Sequence, residues 1–235
     1  MISTTPAAAR RQRRRADRRD AMLDAALTIV MEHGLESLTI ARLATQLDMA
    51  TGAMYRYFSS KTSLVAALQQ REVLALSADL SNEGDAAVNL SQIDEPGERA
   101  LIRVFAIARG YLRLATQQPQ RHRLVDAIMS TRKDLLDRTG TQQMADVVEA
   151  LLEQVSVPLN DAAAEGVIRP GNPHSRTYIL WAAVHGFDHL RKRDRSQPAH
   201  LRAAILIQTA SVDLLRGWGA TECVIERVIK ALRLS

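Results

Sequence analysis

The 235-residue chain contains one cysteine, Cys223, which excludes a disulfide-stapled scaffold and suits a reducing, cytoplasmic compartment. A redox-sensing thiol is one reading of Cys223; a small hydrophobe on a helix is the commoner one. Aromatic residues make up only 4% of the chain, and 11 glycines and 7 prolines are its chain breakers. With Ala, Leu and Arg dominant, that is the balance of a mostly helical protein. No apolar run reaches the roughly 18 residues that a membrane span needs, so a membrane is not an expected partner. The N-terminus is rich in arginine with no apolar stretch behind it, unlike a secretory signal. A Gly-rich phosphate loop, a Gly-x-Ser-x-Gly elbow and a His-Glu-x-x-His pair are all missing, which leaves a helical enzyme as an outlying alternative and implies no cofactor.

Positive charge is present, and unevenly. Residues 1–61 hold ten Lys/Arg against six Asp/Glu, net +4, whereas residues 62–235 hold 21 against 20. Seven arginines fall within residues 10–19. Residues 1–17 read as a disordered basic arm that can lie along DNA phosphates or enter a minor groove; the alternative is a solvated tail that raises solubility.

Behind the arm, residues 37–64 read as two short helices joined by a tight turn and followed by a long helix. Thr39 can cap a helix whose apolar residues Ile40, Leu43, Ala44 and Leu47 recur at helical spacing. Asp48-Met49-Ala50 breaks the pattern, and Thr51 is placed to cap a second helix of about two turns. That helix carries Tyr55, Arg56 and Tyr57, then Phe58 as a buried stop, then Lys61. A short helix exposing such donors suits the major groove of DNA. The alternative makes Tyr55 and Tyr57 half-buried aromatics of a small bundle.

Residues 20–66 resemble the DNA-binding domain of the TetR family of bacterial transcription regulators. The matching positions are Ala25-Ala26, Gly34, Thr39-Ile40, Leu43-Ala44, the run Thr51-Gly52-Ala53-Met54-Tyr55-Arg56-Tyr57-Phe58, Lys61 and Leu64. The resemblance implies an all-α fold: an N-terminal three-helix domain with a helix-turn-helix, and a C-terminal helical ligand-binding and dimerisation domain, about nine to ten helices in all. The boundaries expected are 18–64 for the DNA-binding domain and 65–235 for the effector-binding and dimerisation domain. Arg56 is the candidate for base readout, because its fork fits a guanine edge. Thr51, Gly52 and Ala53 are small residues that admit close approach, and Thr39, Tyr55, Tyr57 and Lys61 are assigned to phosphates, with Arg42 in addition. Ala41 stands where some relatives carry a base-reading side chain, which puts base readout from that helix in question.

Periodicity predicts further helices over 18–33, 61–80, 98–116, 121–130 and 144–155, the last stopping before Pro158 or running on irregularly to Glu165. A polar loop is expected over 81–97 and a turn-rich break over 166–173. Helices over 175–191 and 199–218 are apolar on more than one face, so each must be covered on two sides, and a final helix spans 221–233. Pairing two such helices per subunit gives a four-helix homodimer interface, which the resemblance also implies. A dimer sets two recognition helices roughly 34–36 Å apart to read a palindromic operator in double-stranded DNA. Phe105, Tyr111, His122, Met129, Tyr178, Trp181, His185 and His189 are candidate contacts for a small, largely apolar effector; core or dimer packing is the alternative. His185 and His189 share a helix face but lack a clear third ligand, so no metal is expected. The function expected is a ligand-responsive transcriptional regulator, a repressor released from DNA by its effector. A constitutive or architectural DNA-binding protein is the second alternative.

Overall fold

The computed structural model describes residues 6–130 and 138–234; among them are ten α-helices and no strand. Contacts divide the chain into two compact units, one of residues 1–73 and 119–145, the other of 74–118 and 146–235.

The first unit opens with α1 (Pro6–His33), which ends where Gly34 adopts φ 82°, a conformation that costs glycine least. After a single 3-10 turn, α2 (Ile40–Gln46) starts at Thr39, whose side chain accepts the Arg42 amide at 3.0 Å. Asp48, at φ 50°, then reverses the chain. The Met49 amide reaches back to the Ala44 carbonyl at 2.9 Å, closing α2 with a left-handed cap built on aspartate instead of glycine. Next come α3 (Thr51–Met54), the first part of α4 (Lys61–Ser91) and α6 (Pro119–Ser130). One core joins them: Met22, Leu23, Ala26, Ile29 and Val30 of α1, Leu43 and Ala44 of α2, Met54, Phe58, Leu64 and Leu68, and Leu124 of α6.

Within this unit α6 is held by polar contacts that local sequence does not announce. Gln69 donates to the Leu124 carbonyl at 3.1 Å, and Arg121 pairs with the buried Glu72 at 2.8 Å. Arg71 ties α4 to α1 through Asp24 at 2.7 Å and the Leu23 carbonyl at 3.0 Å.

The second unit comprises the rest of α4, α5 (Pro96–Gln117), most of α7 (Arg138–Ala164), α8 (Pro173–Leu190), α9 (Ala203–Trp218) and α10 (Glu222–Leu234). Its core centres on α5, where Leu101, Ile102, Val104, Phe105, Ala106, Leu114 and Ala115 are buried. Glu98 at the buried start of α5 accepts Arg227 of α10 at 2.7 Å, and that hydrogen bond raises the guanidinium pKa above its ordinary value. Before α9, Asp194 accepts the Ala203 amide at 2.9 Å.

Several expectations need correction. The basic arm expected to be disordered is helical from Pro6 onward, continuous with the helix expected over 18–33; Ala, Arg and Gln favour that state, and proline suits a first helical position. The loop expected over 81–97 is helix as far as Ser91: its acids Glu83 and Asp85 face Arg113 and Arg103 of α5, so their polarity marks a paired helix face. The expected helix from 199 is a 3-10 turn at Ala199–Leu201 followed by α9. α7 runs through the buried Pro158 to Ala164.

Candidate nucleic-acid interface

The recognition segment is shorter than its sequence suggests. Ala50, not Thr51, is the N-cap of α3, and no side chain caps it. Beyond Met54 the bonding slips to three-residue spacing, with Tyr57 N–H to Met54 O at 2.9 Å. The Phe58 amide also reaches Met54 O, at 3.0 Å, and the Phe58 ring is 1% exposed. Tightening the last turn is what drops Phe58 into the core. Met54 and Phe58 therefore anchor the segment from below, and the residues between them face out.

Of the residues assigned to DNA, Thr39, Arg42, Thr51, Gly52, Tyr55, Arg56 and Lys61 are exposed, and Tyr55 retains 54% of its surface. Ala53 is half-buried, as is Tyr57, whose ring packs against the core. Thr39 already spends its hydroxyl oxygen on the α2 cap, and Lys61 reaches the Glu36 carbonyl at 3.4 Å. Gly52 is informative in a different way. A Cβ built there meets nothing within 4 Å, and its φ is not in the left-handed region. Neither packing nor backbone conformation inside this chain requires a glycine at that helical position.

Sequence reasoning missed two residues. Arg15 of α1 donates to the Arg56 carbonyl at 3.1 Å and lies 5.9 Å from the Tyr57 ring centroid; Arg19 lies 5.4 Å from that of Phe58. Their signal was the helical spacing hidden within the arginine run.

Of the effector candidates, the second unit brings five together. Tyr111 of α5 sits 3.3 Å from His185 Nε2 through its hydroxyl, and the Trp181 and His185 rings are 4.3 Å apart. Tyr178 and His189 flank them, each 6.5 Å from its neighbour's ring. Phe105 is buried in α5. His122 is buried on α6 in the first unit, apart from that cluster in the division of the chain, and the side chain of Met129 lies outside the described residues. Among the described residues no group of three or more His, Cys, Asp or Glu could hold a metal, and no helix is long and apolar enough to cross a membrane.

Residues 22–68, the segment bearing this anchored turn, match the profile of bacterial regulatory proteins of the tetR family. This segment is a TetR-family domain. A relative, the HTH-type transcriptional repressor KstR of Mycolicibacterium smegmatis, is 39% identical over 56 residues, covering 24% of this chain and 28% of its own length. The chain spans from 26% to 57% of the length of the curated relatives it matches. Among solved structures, a protein of unknown function from Rhodococcus sp. RHA1 superposes with a TM-score of 0.64 at 20% identity, covering 85% of this chain and 94% of that one. SmeT, the repressor of the Stenotrophomonas maltophilia multidrug efflux pump SmeDEF, gives a TM-score of 0.58 at 20% identity, covering 88% and 92%. SmeT is also known in complex with triclosan. At these identities the structural likeness shows the fold alone.

Proposed function

We propose that this chain is a DNA-binding transcriptional regulator that acts as a homodimer and represses until a small, largely apolar effector binds. One observation carries the DNA-binding part: α3 is fastened to the core by Met54 and Phe58 while Gly52, Tyr55 and Arg56 stay exposed. A glycine with no internal reason to be one, next to an exposed fork donor, fits an element that must come close to a groove. Arg56 then reads a base edge, and Tyr55, Tyr57, Thr39, Arg42 and Lys61 position the helix on phosphates.

The dimer reading is supported by α8 and α9. They border an open groove of about 640 Å³ lined by Ala182, Ala183, Gly186, Phe187, Leu190 and Leu214 among others. Tyr178, Ile179, Leu190 and Ile205 are large apolar side chains at least 44% exposed on the same two helices. A second copy of the same pair covers such faces reciprocally. The effector reading is supported by the Tyr111–Trp181–His185 cluster, whose rings offer apolar faces and few polar tips, and by analogy with the SmeT–triclosan complex. An effector releases DNA only if it binds the non-operator conformation more tightly, since equal affinity shifts nothing.

Selection of duplexes from a random pool by the full-length chain tests the DNA-binding reading, with enrichment of a palindromic site expected. A thermal-shift screen with apolar compounds tests the effector. A hit should raise the melting temperature and weaken binding to the selected duplex. Enrichment without any such hit would favour a constitutive regulator.

A further inference from the structure

The arginine run is built into α1, and its geometry is that of a surface. At about 3.6 residues per turn, Arg10, Arg14, Arg18, Arg11, Arg15 and Arg19 share one half of the helix circumference. Ala9, Gln12, Arg13, Ala16, Asp17 and Asp20 occupy the other half. Residues 7–21 are all exposed, and Arg10, Arg11, Arg14 and Arg18 lie on the basic face without being buried in the chain's own core. Arg15 and Arg19, along one edge of the basic face, meet the Arg56 carbonyl and the rings of Tyr57 and Phe58. The extension is thus registered against the turn that carries the base-reading candidate.

Resting on the DNA-binding reading above, we propose that the first four turns of α1 form a second, helical DNA-binding element. Arg10, Arg11, Arg14 and Arg18 hold the phosphates that flank each half-site, and Arg15 sets their register by gripping the recognition turn. Two physical arguments favour a duplex partner. From Arg10 to Arg18 the helix rises about 12 Å, the axial length of three to four phosphates on one strand at roughly 3.4 Å each. Like charges at i,i+4, as at Arg10/Arg14, Arg11/Arg15, Arg14/Arg18 and Arg15/Arg19, oppose helix formation, and a polyanion laid along that face relieves them. A tail kept for solubility has no use for a one-sided face or for a bond to the Arg56 carbonyl.

The test uses the full-length chain and a duplex it has enriched from a random 30-base-pair pool. Affinity is measured against log salt for the parent and for the R10Q/R11Q/R14Q/R18Q variant, with amide hydrogen exchange of residues 8–16 with and without duplex. The variant is expected to keep its folding transition and its preferred sequence, and to lose about two to four units of salt slope per bound chain. Exchange in the extension should slow on binding in the parent. Parallel salt lines, or exchange in the extension that ignores the duplex, overturn the proposal while leaving the recognition turn as a DNA reader. Failure to enrich any duplex would instead bring down the DNA-binding reading, and this one with it.

Discussion

Adding one methyl group at Gly52 separates the needs of folding from those of binding. Within the chain the new Cβ meets no atom within 4 Å, and the backbone there is compatible with alanine. Alanine in a helical position is favoured over glycine by roughly 0.5–1 kcal/mol, through its propensity and the smaller entropy of the unfolded chain. Gly52→Ala should therefore raise the melting temperature by about 1–4 °C. At a groove the same methyl stands between α3 and the duplex. Backing the helix off by a fraction of an ångström loosens the bidentate Arg56 contact, worth about 1–3 kcal/mol. A loss in that range is roughly 5- to 150-fold in affinity per half-site. Differential scanning fluorimetry and fluorescence anisotropy with a selected duplex read the two effects on one sample. A variant both more stable and weaker in binding is the expected outcome. Unchanged affinity would refute the close approach of α3 to DNA, and a lower melting temperature would refute the view that the space around Gly52 is open.

Arg56→Ala should relax discrimination at one base pair of each half-site, seen by binding to every single-base variant of the selected duplex; equal weakening at all positions would make Arg56 a phosphate contact. Glu72→Ala removes one partner of Arg121 and leaves Arg71 without the same carboxylate, and should cost roughly 1–3 kcal/mol in urea unfolding of the first unit; a loss under about 0.5 kcal/mol would place the pair among those that contribute little. Gly186→Arg introduces a charge into the α8–α9 groove where a Cβ meets nothing within 4 Å, so the subunit should fold normally yet sediment as a monomer; a persistent dimer would show that pairing runs through another face.

What could be read in advance was whatever local spacing determines. Ile40, Leu43 and Ala44 fall on one face of α2, and Met22, Ala26, Ile29 and Val30 on one face of α1, so both helices and their shared core follow from periodicity. Residues 81–91 read as loop from the sequence because Glu83 and Asp85 look like loop polarity until Arg103 and Arg113, some twenty to thirty residues later, are set opposite them. α6 gave no hint that it packs in the first unit, since Gln69–Leu124 and Glu72–Arg121 span 55 and 49 residues. In the candidate interface, the exposed donors followed from the motif around Arg56. The contact from Arg15 did not, because reading residues 1–17 as a disordered arm erases the helical phase that brings it to the Arg56 carbonyl.

The return of α6 to the first unit gives that unit a timetable. Its core is unfinished until Leu124 has been synthesised, some fifty residues after Val73 has left the peptidyl transferase centre. At about 5–20 residues per second, that interval lasts roughly 3–10 s. Throughout it Gln69 lacks the Leu124 carbonyl and Glu72 lacks Arg121, so a nascent chain ending near residue 100 carries the recognition turn on an incomplete support. The same interleaving bears on engineering. A headpiece transplanted as residues 1–73 alone leaves behind one core leucine and one buried ion-pair partner, and a functional graft must carry α6 along with it.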